Sequence, residues 1–73
     1  MPEFHALAVK VKNWRRILSE SQTEFSMNCG LTAKTISNIE CEREETKIGT
    51  VQKIAAYTGE SVSELLNPET ITE

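Results

Sequence analysis

Residues 21–40, SQTEFSMNCGLTAKTISNIE, constrain the fold more tightly than any other part of the chain. Ser21 is followed three residues later by Glu24, the S-x-x-E capping box that opens a helix. Phe25 and Cys29 stand four apart and share one face of that helix. Gly30 tolerates the left-handed backbone in which helices often end. Leu31 is apolar and Thr32 is a good N-cap, so a second helix can begin at once. In it Ile36 and Ile39 face inward, while Lys34, Ser37 and Asn38 face outward.

Two short helices in such close succession, the second with an outer face of residue types that read base edges, form the pattern of a helix-turn-helix. The rest of the chain must then hold that pair in place. Seventy-three residues make one domain, and a chain of this size buries only about 60% of its unfolded surface, which demands a compact core. No apolar run reaches membrane-spanning length. The N-terminus MPEFHALAVKVK lacks the apolar core and cleavage pattern of a signal peptide, so a cytoplasmic protein is expected. Cys29 and Cys41 do not make a disulfide scaffold, and with His5 the sole histidine they have no companions at metal-ligand spacing. No metal and no cofactor are expected. The net charge of −3, with all eleven acids glutamate, counts against a nucleic-acid binder, where a basic footprint is the norm. Glu69 and Glu73 supply two of those charges, leaving −1 for residues 1–68.

Along the chain, residues 4–19 carry an amphipathic stripe in which Leu7, Val11, Trp14 and Leu18 recur at helical steps, widened by Ile17. Lys10, Lys12, Asn13 and Arg16 fall on or near the opposite face. Residues 19–21 form the turn into the second helix. Ser26 is small enough to let two helices approach, and Cys29 reads as a small buried hydrophobe. Residues 41–47, CEREETK, have no apolar face and form a solvated loop. Thr46 is placed to cap the next helix, on which Ile48, Val51, Ile54 and Ala55 repeat at helical spacing, with Gly59 as its C-terminal cap. Ser61 and Glu64 form a second capping box for a short fifth helix with Val62, Leu65 and Leu66 on its apolar face, and Asn67-Pro68 stops it. Residues 1–68 are thus the expected domain and 69–73 a polar tail, with Ile71 its one apolar anchor.

Glu40 is oddly placed, an acid at the C-terminal end of the third helix where the macrodipole disfavours it. If the first helix packs across the pair, Arg15 could offset it through an orientation-specific guanidinium–carboxylate fork. Spacing alone leaves open two unrelated solvated charges.

Several pieces taken together resemble a known family. Val11-Lys12-Asn13-Trp14-Arg15, Ser21-Gln22, Gly30-Leu31-Thr32, Thr35-Ile36-Ser37-Asn38-Ile39-Glu40, Ile54-Ala55 and Gly59-x-Ser61-Val62-x-Glu64-Leu65-Leu66 look like the Cro/CI (XRE) helix-turn-helix family of phage repressors and bacterial regulators. The likeness spans residues 11–66 and rests on the ordered set with its gaps, no single piece being specific. It implies an all-α, compact five-helix bundle of the lambda-repressor-like type with a central helix-turn-helix. It also implies that Arg15 pairs with Glu40, that Gln22 touches a phosphate, and that the start and outer face of the third helix bind DNA.

Carried over residue by residue, the resemblance makes Ala33, Lys34, Ser37 and Asn38 the base-contact residues. Their chemistry suits the role: Asn can bond adenine N6 and N7, Lys guanine O6 and N7, Ser is permissive, and the Ala33 methyl can meet a thymine methyl. Ser21 and Gln22, with the backbone N–H groups that open the second helix, and Thr35, Arg43 and Lys47 are the phosphate candidates. Val62, Leu65, Leu66 and Ile71 are the candidate dimer contacts, although the first three also suit a core. The chain departs from the family after Glu40, where a Gly-containing basic turn is common and Cys41-Glu42-Arg43-Glu44-Glu45-Thr46 stands instead. The glutamates would repel a DNA backbone unless they turn away or meet a partner. Cys41, close to the DNA face, is a tolerated small residue or, more sharply, a redox-sensitive thiol.

The expected function is a sequence-specific DNA-binding transcription regulator, repressor or Cro-like. It would place the third helix in the major groove of double-stranded DNA, as a homodimer on an approximately palindromic operator. A competing expectation is a protein-interaction module, antitoxin-like or co-regulatory, that uses its acidic 42–45 loop. With no acid–base pair beside a nucleophile, no phosphate loop and no room for a deep pocket, an enzyme is not expected, nor is a small-molecule ligand. The chain suits equally a complete small Cro-like protein and the N-terminal half of a longer repressor.

Overall fold

The structure, a computed structural model, describes residues 2–43 and 46–67. In chain order its helices are α1 (Pro2–Leu18), α2 (Gln22–Cys29), α3 (Ala33–Glu40), α4 (Ile48–Thr58) and α5 (Val62–Leu66). No strand occurs among the described residues, and the all-α, five-helix architecture expected from the sequence is the one observed. Glu44, Glu45, Ile71 and the expected tail at 69–73 lie outside the described residues.

Local chemistry fixes most helix ends. Ser21 caps α2 with both halves of the capping box formed, and Ser61 caps α5 by accepting from the Glu64 N–H. Gly30 (φ 78°) and Gly59 (φ 81°) close α2 and α4 in the left-handed conformation, where a side chain would be strained. Ser19 (φ 56°) and Glu42 (φ 55°) adopt the same conformation without being glycine, and they end α1 and α3.

The core joins all five helices. Leu7 and Val11 of α1, Phe25 and Cys29 of α2, Ile36 and Ile39 of α3, Val51 and Ile54 of α4 and Leu65 of α5 form one buried cluster. Trp14, Leu31, Tyr57, Val62 and Leu66 pack around it. α1 lies against α3 and α5, and α4 against α2 and α5, so the α2–α3 pair is braced from two sides. Phe25 and Tyr57 meet edge to face with ring centroids 5.4 Å apart. Ser26 is buried and donates to the Thr23 carbonyl at 2.7 Å, so its hydroxyl is satisfied inside the helix.

Four expectations need correction. Ile17 and Leu18 are exposed rather than part of the buried stripe: the core closes at Trp14, and the last turn of α1 runs past it. Ile48 is likewise exposed, because it sits in the first turn of α4, ahead of Val51 where burial begins. Thr46 does not cap α4; Lys47 holds the N-cap position and makes no side-chain cap bond. Leu65 cannot serve as a dimer contact, being fully enclosed in the core, while Val62 and Leu66 also pack on that core.

Candidate nucleic-acid interface

α3 is eight residues long, too short to be stable alone, so its position depends on what grips its ends. At its start Thr32 accepts from the Thr35 N–H at 3.2 Å, and the two hydroxyls lie 2.9 Å apart. Thr35, expected at a phosphate, therefore already takes part in the cap. The Gly30 turn fixes the approach from α2, with the Leu31 N–H reaching back to the Ser26 carbonyl at 2.8 Å.

At its end α3 is held by Arg15. The Arg15 Nε donates to Glu40 Oε2 at 2.6 Å and Nη2 to Oε1 at 2.8 Å, a two-pronged fork, while Nη1 reaches the Glu20 carbonyl at 3.2 Å. Gln22 Nε2 also donates to Glu40 Oε1 at 3.2 Å. One carboxylate thus joins α1, the first turn of α2 and the last turn of α3. The Glu40 side chain is only 5% exposed and that of Arg15 23%, so the pair is largely removed from water. The hydrogen bond to Glu40, with its charge adding to the effect, raises the Arg15 pKa, and partial burial opposes this.

Between these anchors the outer face of α3 is open. Lys34 is exposed, and Ala33, Ser37 and Asn38 are half-buried. Lys34, Ser37 and Asn38 make no side-chain hydrogen bond among the described residues. Lys34 lies in the first turn of α3, where the macrodipole disfavours a cation, so α3 carries a charge that does not serve its own stability.

The phosphate candidates divide. Ser21 engages both its N–H (3.0 Å to Glu24 Oε1) and its hydroxyl oxygen (3.1 Å from the Glu24 N–H), leaving only the hydroxyl proton to offer. The Ser21 backbone N–H first, and the Ser21 side chain second, hold the Glu24 carboxyl below its usual range. Gln22 points to Glu40 yet keeps donor and acceptor capacity. Arg43 and Lys47 are exposed on either side of the loop that follows α3.

Sequence reasoning did not foresee three interactions. Glu42 reaches α1, where His5 Nδ1 lies 3.1 Å from its Oε2. Lys10 Nζ pairs with Glu60 at 3.3 Å. The Glu20 carboxylate accepts from the Tyr57 hydroxyl (3.0 and 2.8 Å) and from Asn28 Nδ2 (2.7 Å), tying the α1–α2 turn to α4. Each joins residues distant in sequence, with no local spacing to betray it. Cys29 is buried and Cys41 exposed, both as free thiols. Among the described residues no cluster of three or more His, Cys or Glu side chains could hold a metal ion, and no helix is long and apolar enough to cross a membrane.

No family model and no curated protein matches the chain. Among solved structures, the chain is similar to a hypothetical transcription factor, NHTF, from Neisseria, with 29% identity and a TM-score of 0.80 over 89% of this chain and 75% of that one.

Proposed function

We propose that the chain is a DNA-binding transcription regulator of the Cro/CI (XRE) type that acts by binding and catalyses no reaction. α3 enters the major groove, and Ala33, Lys34, Ser37 and Asn38 meet base edges. Ser21, Gln22, Thr35, Arg43 and Lys47 hold the flanking phosphates. Two copies bind an approximately palindromic operator, one α3 in each half-site. The observation that carries this reading is the presentation of α3. Its two ends are fixed by Thr32 and by the Arg15–Glu40–Gln22 cluster, while Lys34, Ser37 and Asn38 between them are unengaged among the described residues. The likeness to the Neisseria hypothetical transcription factor supports it, and the contact of Glu42 with His5 gives one acid of the loop after α3 a partner within the chain.

The test is selection of bound sequences from random duplex DNA, repeated with Asn38→Ala. The expected result is a two-fold-related consensus whose preference at one base position per half-site relaxes in the variant, at a cost of about 1–3 kcal/mol. With those five residues sharing three or four phosphates per subunit, the log–log salt slope for the selected site should lie at about −5 to −7. A slope near zero would reject the reading and favour the protein-interaction alternative.

A further inference from the structure

An open groove of about 430 Å³ runs beside the C-terminal half of α1, lined by Lys12, Arg15, Arg16, Ser19, Glu20 and Glu40. Three cations face two carboxylates there, leaving one net positive charge in a chain whose total is −3. Both carboxylates already accept hydrogen bonds. Glu40 is bonded by Arg15 and Gln22, and Glu20 by Tyr57 and Asn28. Arg15 is spent on Glu40. Lys12 and Arg16 are exposed and enter no ion pair among the described residues. They stand four apart on α1, one above the other, a spacing at which like charges destabilise a helix. The macrodipole accounts for Arg16 in the last turn but does not reach Lys12. An uncompensated pair of this kind fits an anion that arrives from outside: Lys supplies a point charge and Arg a two-pronged donor to phosphate oxygens. The groove borders the first turn of α2, since Gln22 is bonded to the Glu40 that forms its wall.

We propose that Lys12 and Arg16 clamp a DNA backbone phosphate in this groove, extending the DNA-contact surface from the start of α2 onto α1. The inference rests on the DNA-binding reading above. In it, Arg15 is the positioning residue that keeps Glu40 from neutralising the clamp.

The probe is a fluorescein-labelled mixed-sequence duplex of about 20 bp, titrated by anisotropy from about 20 to 200 mM salt, where phosphate contacts dominate binding. Wild type is compared with Lys12→Gln/Arg16→Gln and with the charge-keeping Lys12→Arg/Arg16→Lys, all three checked for fold by circular dichroism. The expected result is a log–log salt slope whose magnitude falls by about 1 for each lost cation in the Gln pair and is unchanged in the charge-keeping pair. A wild-type slope in the Gln pair would overturn the clamp and leave the DNA-binding reading standing. Failure of the wild type to bind any duplex at low salt would overturn both. Saturation of the Arg16 side-chain NMR signal by inorganic phosphate, with the DNA slope unmoved by the Gln pair, would assign the groove to a free anion and also overturn the clamp.

Discussion

Single residues decide how firmly α3 is held. The Arg15–Glu40 fork is largely buried, so the loss of one partner leaves the other charge poorly solvated, whereas the loss of both removes the problem. Arg15→Met should therefore lower the unfolding free energy by roughly 3 kcal/mol, a large part of the stability of so small a domain. Arg15→Met/Glu40→Met should recover most of it, and Arg15→Lys only part, because an ammonium cannot reproduce the fork. Urea unfolding of the four proteins checks the order; a double variant no more stable than Arg15→Met would show that the fork does not account for the loss. Cys29 makes a second prediction. Burial, helped by the Glu20 carboxylate, pushes its thiol up to about 11, whereas in the unfolded chain a thiol ionises near about 8.5. Between those values the folded state keeps a proton that the unfolded state has lost. Its stabilising contribution is complete below about pH 8.5 and falls away as pH rises toward 11. The Tyr57 hydroxyl, raised chiefly by its hydrogen bond to Glu20, has its own window starting near about pH 10. In a Cys41→Ser background, adding Cys29→Ala should thus flatten the thermal midpoint between about pH 8.5 and 10 and leave the decline above that range. An unchanged decline in the lower range would refute the assignment to Cys29.

At the scale of helices, α4 differs from α2, α3 and α5 at its N-terminus. Ser21, Thr32 and Ser61 each satisfy a first-turn N–H, but α4 opens on Lys47 with no side-chain cap. Lys47→Ser should stabilise the fold by about 1 kcal/mol by supplying that cap. If Lys47 holds a phosphate, the same change should weaken DNA binding and reduce the salt slope by about 1. Thermal unfolding and an anisotropy titration on one sample would show the opposition, and a more stable variant with undiminished binding would remove Lys47 from the interface. Helix ends were also the most legible part of the sequence. The S-x-x-E boxes and the two left-handed glycines announce themselves through local backbone chemistry that tertiary context does not override. Glu40 at the wrong end of its helix raised the Arg15–Glu40 pair as one option, and only the family resemblance implied it. What was not legible depends on where packing stops. Ile17, Leu18 and Ile48 continue the apolar period, and only the placement of neighbouring helices leaves them exposed. Lys12 and Arg16 read as a solvated face until the groove set them beside two carboxylates already engaged by others.

At the scale of the molecule, the charge that argued against DNA binding is unevenly placed. Among the described residues Lys10 and Arg15 are paired, whereas Lys12, Arg16, Lys34, Arg43, Lys47 and Lys53 enter no ion pair. A net charge of −3 can therefore coexist with cations free to meet phosphate. Dimerisation belongs to the same scale. Leu65 is sealed in the core, and Val62 and Leu66 pack against it, so α5 completes the fold of one chain. We therefore expect one chain to fold without a second copy, with pairing on an operator added to it. Were a dimer part of the folded state, mass action would raise the thermal midpoint with protein concentration. The expected outcome is a midpoint that stays constant from about 5 to 500 μM without DNA, since only a state that binds a partner gains from its concentration. Addition of the selected operator should raise the midpoint, as would any ligand of the folded form. A midpoint that climbs with protein concentration alone would place a dimer interface in the free protein, and Val62 and Leu66 would be the first residues to examine there.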